Sequence, residues 1–263
     1  MKHELTESQE TFYREKGFLL IDDFLDPNEI KDWRCAVDEA IEQRAGRRLP
    51  YDKHGTKAVA NAHVFTQRVN LWMSHPGVRE LMLDARIGKM AAQLEGVDGI
   101  RIWHDQALVK GPWGDPTAWH QDNTKWSFSS EHAITIWIAL DDVTLQNGCM
   151  FFLPGTHRRR LEQDFSTTVN VGTLFKTFPE LADMEPTPAV LPAGGCSFHN
   201  GLMVHAAHAN MSPRSRRAMT CAFMPDGSAY NGRRNVLPEE IVASLDIGDV
   251  LDNNDQNPLI YHS

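Results

Sequence analysis

Between Ile100 and Met224 the chain consists of short apolar segments that are interrupted repeatedly by turn-forming residues. The interruptions include Gly111-Pro112, Pro154-Gly155 and Asn200-Gly201, which favour tight turns over continuous helix. Many short strands at this spacing are typical of a β-sandwich or jelly roll. The predicted strands cover residues 100–110, 133–140, 148–153, 189–191, 197–198, 202–207 and 218–224.

The first hundred residues carry helical signals instead. Thr6 and Gln9 form a capping box that starts a helix ending at Gly17, and Asp26 starts a second helix that runs to about Gln43. Further predictions are a short strand over residues 17–25, a long ordered loop over 46–70 and helical segments over 77–95. These helices are expected to pack on the outside of the β core.

The chain contains no internal repeat, low-complexity tract or obvious linker. We therefore predict one domain over residues 1–263. Its parts are a helical N-terminal region over about 1–98, a β core over about 99–226 and a C-terminal extension over 227–263.

The excess of acidic over basic side chains argues against some classes of binding partner. With 26 basic and 35 acidic side chains the formal net charge is −9, which argues against nucleic acid or an anionic membrane as the main partner. No secretory signal and no apolar run of about 20 residues is present. Four isolated cysteines fit reduced thiols, so we expect a cytoplasmic protein. No sequence feature specifies an oligomeric state.

The strongest chemical motif is the tetrapeptide Trp119-His-Gln-Asp122. On an extended chain His120 and Asp122 point to the same face, about 6.6 Å apart along the strand. Both can then reach one metal ion. Two histidines and one carboxylate on one side of an ion, with open positions opposite, suit non-haem Fe(II).

The third ligand is sought among His199, His205 and His208. His205 lies inside the predicted strand over 202–207, and in a regular strand His208 points to the opposite face. Six residues of strand span about 20 Å, so His199 and His205 cannot share one ion unless the Asn200-Gly201 turn folds the chain back.

An arginine follows the third-ligand candidate. Arg216 lies eleven residues beyond His205, after a turn over residues 210–213 that returns the chain antiparallel. A guanidinium one strand away from an iron suits a dicarboxylate co-substrate, which is held by metal at one end and a salt bridge at the other. The alternative for Arg214, Arg216 and Arg217 is a solvated basic turn.

Several blocks of this sequence, in order, resemble the phytanoyl-CoA dioxygenase-like branch of the Fe(II)/2-oxoglutarate oxygenases. The resemblance covers roughly residues 17–224. The blocks are GFLLIDDFL at 17–25, WHQD at 119–122, WIALDD at 137–142, NGC at 147–149, PGTH at 154–157, and His205 with Asn210, Ser212 and Arg216.

This resemblance implies a double-stranded β-helix core of the jelly-roll, cupin-like type. It also implies Fe(II) on His120, Asp122 and His205, with 2-oxoglutarate and O2 as co-substrates. The family's spacing between its distal histidine and its 2-oxoglutarate arginine selects His205 and Arg216.

The resemblance implies further contacts to 2-oxoglutarate. Trp137 matches a position against the co-substrate, and Gln106 matches a strand position in the same pocket. Ala207 stands where the family often has a serine that helps to bind the carboxylate, so one hydrogen bond would be lost. His157 is expected to shape its loop and not to bind metal.

The implied activity is hydroxylation of an unactivated C–H bond in a small organic molecule, with release of succinate and CO2. The alternatives are desaturation or ring closure at the same iron centre, and a metal-binding cupin-like module without turnover. Asp122 argues against a halogenase, because those enzymes lose this carboxylate so that chloride can bind.

Two groups of side chains are candidates for substrate contacts. The basic run over residues 158–160 would attract an acidic substrate, or else form a solvated face. Five aromatic residues would line an apolar mouth, or else belong to the core or surface. They are Trp113, Trp119, Trp126, Phe128 and Phe175.

Overall fold

The computed structural model describes residues 1–44, 66–161, 163 and 170–263. The described strands are β1 (Phe18–Ile21), β2 (Thr66–Val69), β3 (Gly99–Lys110), β4 (Thr117–His120), β5 (Ile134–Ala139), β6 (Met150–Phe152), β7 (Thr187–Ala189), β8 (Cys196–Asn200), β9 (His205–Ala207), β10 (Arg216–Pro225) and β11 (Leu259–His262). The described α-helices are α1 (Glu7–Lys16), α2 (Pro27–Gln43), α3 (Pro76–Met82), α4 (Ala85–Glu95), α5 (Thr173–Thr177) and α6 (Glu239–Val242).

The two N-terminal helices begin where their capping signals lie. Thr6 accepts from the backbone N–H of Gln9, and the Gln9 side chain accepts from the Thr6 N–H at 2.9 Å. Helix α1 ends at Gly17, whose φ of +81° is the left-handed conformation that glycine tolerates best. Asp26 caps α2 in the same way, accepting from the N–H of Glu29 at 3.0 Å.

The strands form two antiparallel sheets. The larger has the order β1-β8-β5-β10-β3-β11, with β2 also paired to β3, and the smaller has the order β4-β9-β6-β7. This arrangement confirms the predicted mainly β jelly roll with flanking helices.

Alternation along the larger sheet divides its residues between two environments. On β5, Ile134, Ile136 and Ile138 join the core that packs against the helices. The intervening Trp137 and Ala139 face the space between the sheets, where Trp137 meets residues of the smaller sheet. Because strand side chains alternate with a period of two, one sheet buries an apolar outer face and lines an inner chamber.

Two predicted elements differ from the structure near the N-terminal region. Residues 66–69 form strand β2, not loop, because they pair with residues 106–109 of β3 at the sheet edge. Residues 46–65 of the predicted loop lie outside the described residues. The helical segment over 77–95 is two helices, since Asp84 caps a new helix after α3.

The predicted strand over residues 202–207 is shorter than expected. Strand β9 covers only His205–Ala207. The chain leaves the larger sheet at Asn200 and turns, with the Met203 N–H donating to the Asn200 carbonyl at 2.9 Å. Val204 then donates its N–H to Thr156 Oγ1 at 3.0 Å. Residues 201–204 therefore carry the chain from one sheet to the other.

Besides β2, two further strands had no counterpart among the predicted segments. Strand β4 ends at His120, one half of the metal-binding motif, and β11 extends the larger sheet at the C-terminus. In the C-terminal extension, Tyr230, Leu237 and Leu251 pack against Trp103 in one buried cluster. The extension thus covers one end of the sheet.

No helix in the described ranges combines the length and apolar character needed to cross a bilayer. The four cysteines all lie in those ranges and are free thiols.

Candidate active site

His120, Asp122 and His205 meet between the two sheets. His120 ends β4 and His205 begins β9, and the two are register partners in the smaller sheet. Asp122 lies two residues beyond β4 in a bend. One possible ligand atom from each of the three side chains lies within 4.8 Å of the others.

The backbone orients both imidazoles. Nδ1 of His120 lies 2.8 Å from the Ala118 carbonyl, and Nδ1 of His205 lies 3.0 Å from the Met203 carbonyl. A protonated Nδ1 donates to each carbonyl, which leaves the lone pair of Nε2 free. The two Nε2 atoms lie 3.3 and 3.9 Å from the Asp122 carboxylate oxygens.

Burial sets the charge of the three groups. It lowers the pKa of both His120 and His205, so both rings are neutral near pH 7. Burial alone would raise the pKa of Asp122, but the neighbouring His205, His120 and His199 hold it well below its usual range. Two neutral imidazoles and one carboxylate are the donor set that suits Fe(II), and the residues present fit that ion.

His199 is much nearer to this group than a continuous strand would allow. Its Nε2 lies 3.7 Å from Asp122 Oδ2, and its ring centroid lies 4.8 Å from that of His205. The separation of about 20 Å expected for a continuous strand therefore does not apply, and the stated exception, a turn at Asn200-Gly201 that folds the chain back, does. The turn after Asn200 folds the chain back, so that the two histidines face each other from different sheets.

His208 lies away from the three candidate ligands. It is exposed just beyond the end of β9, and its ring stacks on Phe151 with centroids 4.2 Å apart. His157 likewise contacts the protein elsewhere, with Nε2 3.2 Å from the Arg14 carbonyl.

Arg216 is the buried arginine of its basic turn. Its Nη2 donates to the Gly148 carbonyl at 3.0 Å, and its guanidinium lies 5.1 Å from the Trp137 ring centroid. Nε and Nη1 have no hydrogen-bond partner among the described residues. Burial lowers its pKa to about 10, which still leaves it charged at neutral pH. A buried cation with free donors fits a carboxylate ligand.

The neighbours of Arg216 are occupied differently. Arg217 forms ion pairs with Asp141 and Asp38, at 2.7 and 2.6 Å, and the side chain of Arg214 is exposed. Both predictions for this turn therefore apply to different residues. Arg216 is buried and available to a co-substrate, whereas Arg214 and Arg217 lie at or near the surface.

Trp137 and Gln106 share the inner face of the larger sheet. Both are register partners of Thr220 on β10, which lies four residues beyond Arg216. Gln106 also contacts the Gln67 side chain, and its Nε2 lies 3.2 Å from Nδ1 of His104. The two residues are thus on the same inner face as Arg216.

Lys110 was not among the residues singled out from the sequence. It is Arg216's register partner and is almost fully buried. Its Nζ donates to the carbonyls of Asp115 and His208, at 2.8 and 2.9 Å. The signal that could have identified it is alternation along β3, which places it on the same face as Gln106.

Most of the aromatic candidates belong to the core. Trp126 and Phe128 stack with centroids 5.4 Å apart in a buried cluster, and Trp119 packs edge-on against Phe175. Trp113 is exposed. The apolar-mouth interpretation therefore has no support at Trp126 and Phe128.

The chain is similar to known proteins over most of its length. The family profile described as Phytanoyl-CoA dioxygenase (PhyH) matches residues 13–218. The chain is 26% identical to methylphosphonate hydroxylase of Gimesia maris, over 85% of this chain and 82% of that protein.

Two solved structures share nearly the whole fold. The non-haem α-ketoglutarate-dependent carbocyclase SnoK from nogalamycin biosynthesis matches with a TM-score of 0.79 and 29% identity, over 97% of this chain and 96% of that one. The epimerase SnoN, solved with Fe3+, α-ketoglutarate and nogalamycin RO, matches with a TM-score of 0.77 and 26% identity, over 97% and 98%.

Fold and site together define a non-haem iron oxygenase that depends on 2-oxoglutarate and O2. Within that class the chain belongs to the phytanoyl-CoA dioxygenase (PhyH) family.

Proposed function

We propose that this enzyme hydroxylates an unactivated C–H bond of a small organic molecule, using Fe(II) held by His120, Asp122 and His205. The observation that carries the proposal is the pairing of these three ligand atoms, within 4.8 Å of one another, with the buried and incompletely bonded guanidinium of Arg216. Arg216 binds the distal carboxylate of 2-oxoglutarate in this proposal.

Bound Fe(II) supplies O2 activation and couples oxidative decarboxylation of 2-oxoglutarate, to succinate and CO2, to oxidation of the substrate. The protein contributes position and charge. Asp122 provides one negative charge, and the carbonyls of Ala118 and Met203 hold the two imidazoles with Nε2 toward it. These two backbone contacts fix the tautomer and the ring orientation that metal binding by Nε2 requires.

The co-substrate end of the chamber is buried and cationic. The Trp137 ring covers one side of the Arg216 guanidinium and limits the access of water, which strengthens its charge-assisted hydrogen bonds to a carboxylate. Gln106 offers a side-chain amide on the same inner face. Ala207 offers no hydroxyl, so the carboxylate is held mainly by Arg216.

The relatives support a small-molecule substrate. One acts on methylphosphonate, by its name, and SnoN was solved with nogalamycin RO. We propose a small organic molecule as the substrate here, with hydroxylation as the outcome.

Ring closure is the second candidate, favoured by the likeness to the carbocyclase SnoK at 29% identity over 97% of this chain. The same residues would serve both outcomes. The mass of the product distinguishes them: hydroxylation adds one oxygen atom, whereas ring closure removes two hydrogen atoms.

The test is anaerobic reconstitution with Fe(II) and 2-oxoglutarate, followed by addition of O2 and candidate small molecules. We expect succinate to form with Fe(II) and O2 both required, and a product heavier by one oxygen atom. The Asp122→Ala variant is the control for site-dependent turnover. Iron-independent succinate formation, or full activity in Asp122→Ala, would contradict the proposal.

A further inference from the structure

A polar cleft of about 250 Å³ opens beside the segment that carries Asp122. Asn123 and Thr124, the two residues after Asp122, form part of its wall, and Leu161 and Leu202 supply its apolar side. Arg160 and Arg233 complete the lining together with Ser129. None of the described residues that line the cleft is a carboxylate, although the chain has a net charge of −9.

The backbone of Arg160 is attached to the metal-binding motif itself. The side chain of Gln121, between His120 and Asp122, donates to the Arg159 carbonyl at 2.7 Å. The same side chain accepts from the Leu161 N–H at 2.9 Å. Gln121 therefore holds the backbone on both sides of Arg160 and fixes that backbone relative to the candidate iron ligands, while the Arg160 side chain itself is exposed.

Arg233, in the C-terminal extension, contacts the segment that follows Asp122. Its Nη1 donates to the carbonyl of Thr124, two residues after Asp122. It forms no ion pair with a described residue, and Arg160 forms neither an ion pair nor a hydrogen bond with one. Neighbouring Arg159, in contrast, pairs with Glu180.

Neutral donors complete the cleft. Ser129 Oγ lies 3.2 Å from Nδ2 of Asn231 and accepts its hydrogen bond, which leaves the Ser129 hydroxyl proton free to donate. Asn123 uses one amide proton toward the Ser130 carbonyl and retains the other. Two guanidinium groups and two neutral donors, with no carboxylate among the described lining residues, are suited to an oxyanion.

We infer that this cleft binds the anionic end of the substrate, a phosphonate or carboxylate group, and so presents the rest of that molecule to the iron site. The inference rests on the proposed function and adds the chemical class of the substrate. Of the two alternatives for the basic run over residues 158–160, the inference assigns substrate attraction to Arg160.

The test is equilibrium binding to the protein loaded anaerobically with Fe(II) and saturating 2-oxoglutarate, so that Arg216 is already occupied. The probes are methylphosphonate and acetate, which are charged, and acetamide, which is neutral and close to acetate in shape. The variants are Arg160→Gln and Arg158→Gln. Arg158 is the matched control, because its side chain lies outside the cleft and donates to the Arg14 carbonyl.

We expect at least one charged probe to bind one-to-one, about tenfold more weakly to Arg160→Gln and unchanged to Arg158→Gln. Whichever of methylphosphonate and acetate binds more tightly identifies the anionic group. No binding of either charged probe, acetamide binding as tightly as the better charged probe, or unchanged affinity of that probe in Arg160→Gln would overturn the inference. Binding of Fe(II) and 2-oxoglutarate is measured on the same samples. If the wild-type protein fails to bind them, the result contradicts the proposed function and not the inference about the cleft.

Discussion

Nε2 of His199 lies 3.7 Å from Oδ2 of Asp122, although the two residues belong to opposite sides of the chamber. Both ring nitrogens of His199 are buried and have no hydrogen-bond partner among the described residues. Carboxylates that bind metal generally accept hydrogen bonds from neighbouring groups. We therefore expect His199 to influence the orientation of Asp122, and His205 to be the ligand.

The first prediction separates the three neighbouring histidines. His205→Ala abolishes stoichiometric Fe(II) binding, because it removes one of the three clustered donors. His199→Ala and His208→Ala each retain it. Anaerobic equilibrium dialysis against Fe(II) measures this directly. Loss of iron in His199→Ala with retention in His205→Ala would reverse the assignment.

The second prediction concerns the carboxylate. Asp122→Ala remains folded but binds Fe(II) at least ~100-fold more weakly and forms no product, because the anionic ligand is lost while two neutral imidazoles remain. Iron titration together with circular dichroism checks both parts. Normal iron affinity and product yield in this variant would exclude Asp122 as a ligand.

The third prediction concerns the co-substrate arginine. Arg216→Leu raises the 2-oxoglutarate concentration needed for turnover far more than it alters iron binding. Loss of a buried charge-assisted contact costs ~2–5 kcal/mol, or roughly tens- to thousands-fold in affinity. Arg214→Leu, a charge change at an exposed position of the same turn, serves as the control. An unchanged titration in Arg216→Leu would move the carboxylate site elsewhere.

The fourth prediction restores a hydroxyl near the same site. Ala207→Ser lowers the 2-oxoglutarate requirement several-fold, as expected for one hydrogen bond worth about 0.5–1.5 kcal/mol. The control is Ala206→Ser, because Ala206 points to the opposite face of β9 and is buried against Leu153 and Val204. A hydroxyl there gives no such gain. Equal or weaker co-substrate binding in Ala207→Ser would contradict the expected contact.

The fifth prediction concerns stability and pH. Asp105 is completely buried, which raises its pKa to about 7, although it accepts from the N–H groups of Leu71 and Trp72 at 2.8 and 2.7 Å. Between pH 4 and 7 the unfolded chain releases this proton while the folded chain retains it. The free energy of unfolding therefore falls as pH rises, by about 1.4 kcal/mol per pH unit from this group.

Asp105→Asn removes this decrease in the free energy of unfolding with rising pH. Urea unfolding at a series of pH values between 4 and 8 measures it. Asp84→Asn is the control. The pKa of Asp84 is lowered, because the hydrogen bonds and charge of Arg86 outweigh the effect of its burial, so this variant leaves the fall in place. An identical pH dependence in wild type and Asp105→Asn would show that Asp105 is ionised in the folded state.

The sequence by itself determined the elements whose signals are local. Capping residues such as Thr6 and Asp26 mark the helix starts, because the cap bonds form within three residues. Alternation marked most of the strands, and the two-residue spacing of His120 and Asp122 marked the metal-binding motif. A pattern contained in a few consecutive residues needs no knowledge of the rest of the chain.

Only the tertiary structure decided which distant residues meet. The turn after Asn200 moves the chain between sheets and brings His199 to Asp122, and the Gln121 side chain holds Arg160 beside the same motif. Strand periodicity specifies the face on which a side chain lies, but it contains no information about which strand, or which sheet, lies opposite. Such contacts depend on the packing of segments that are far apart in sequence, and that packing is a property of the whole chain.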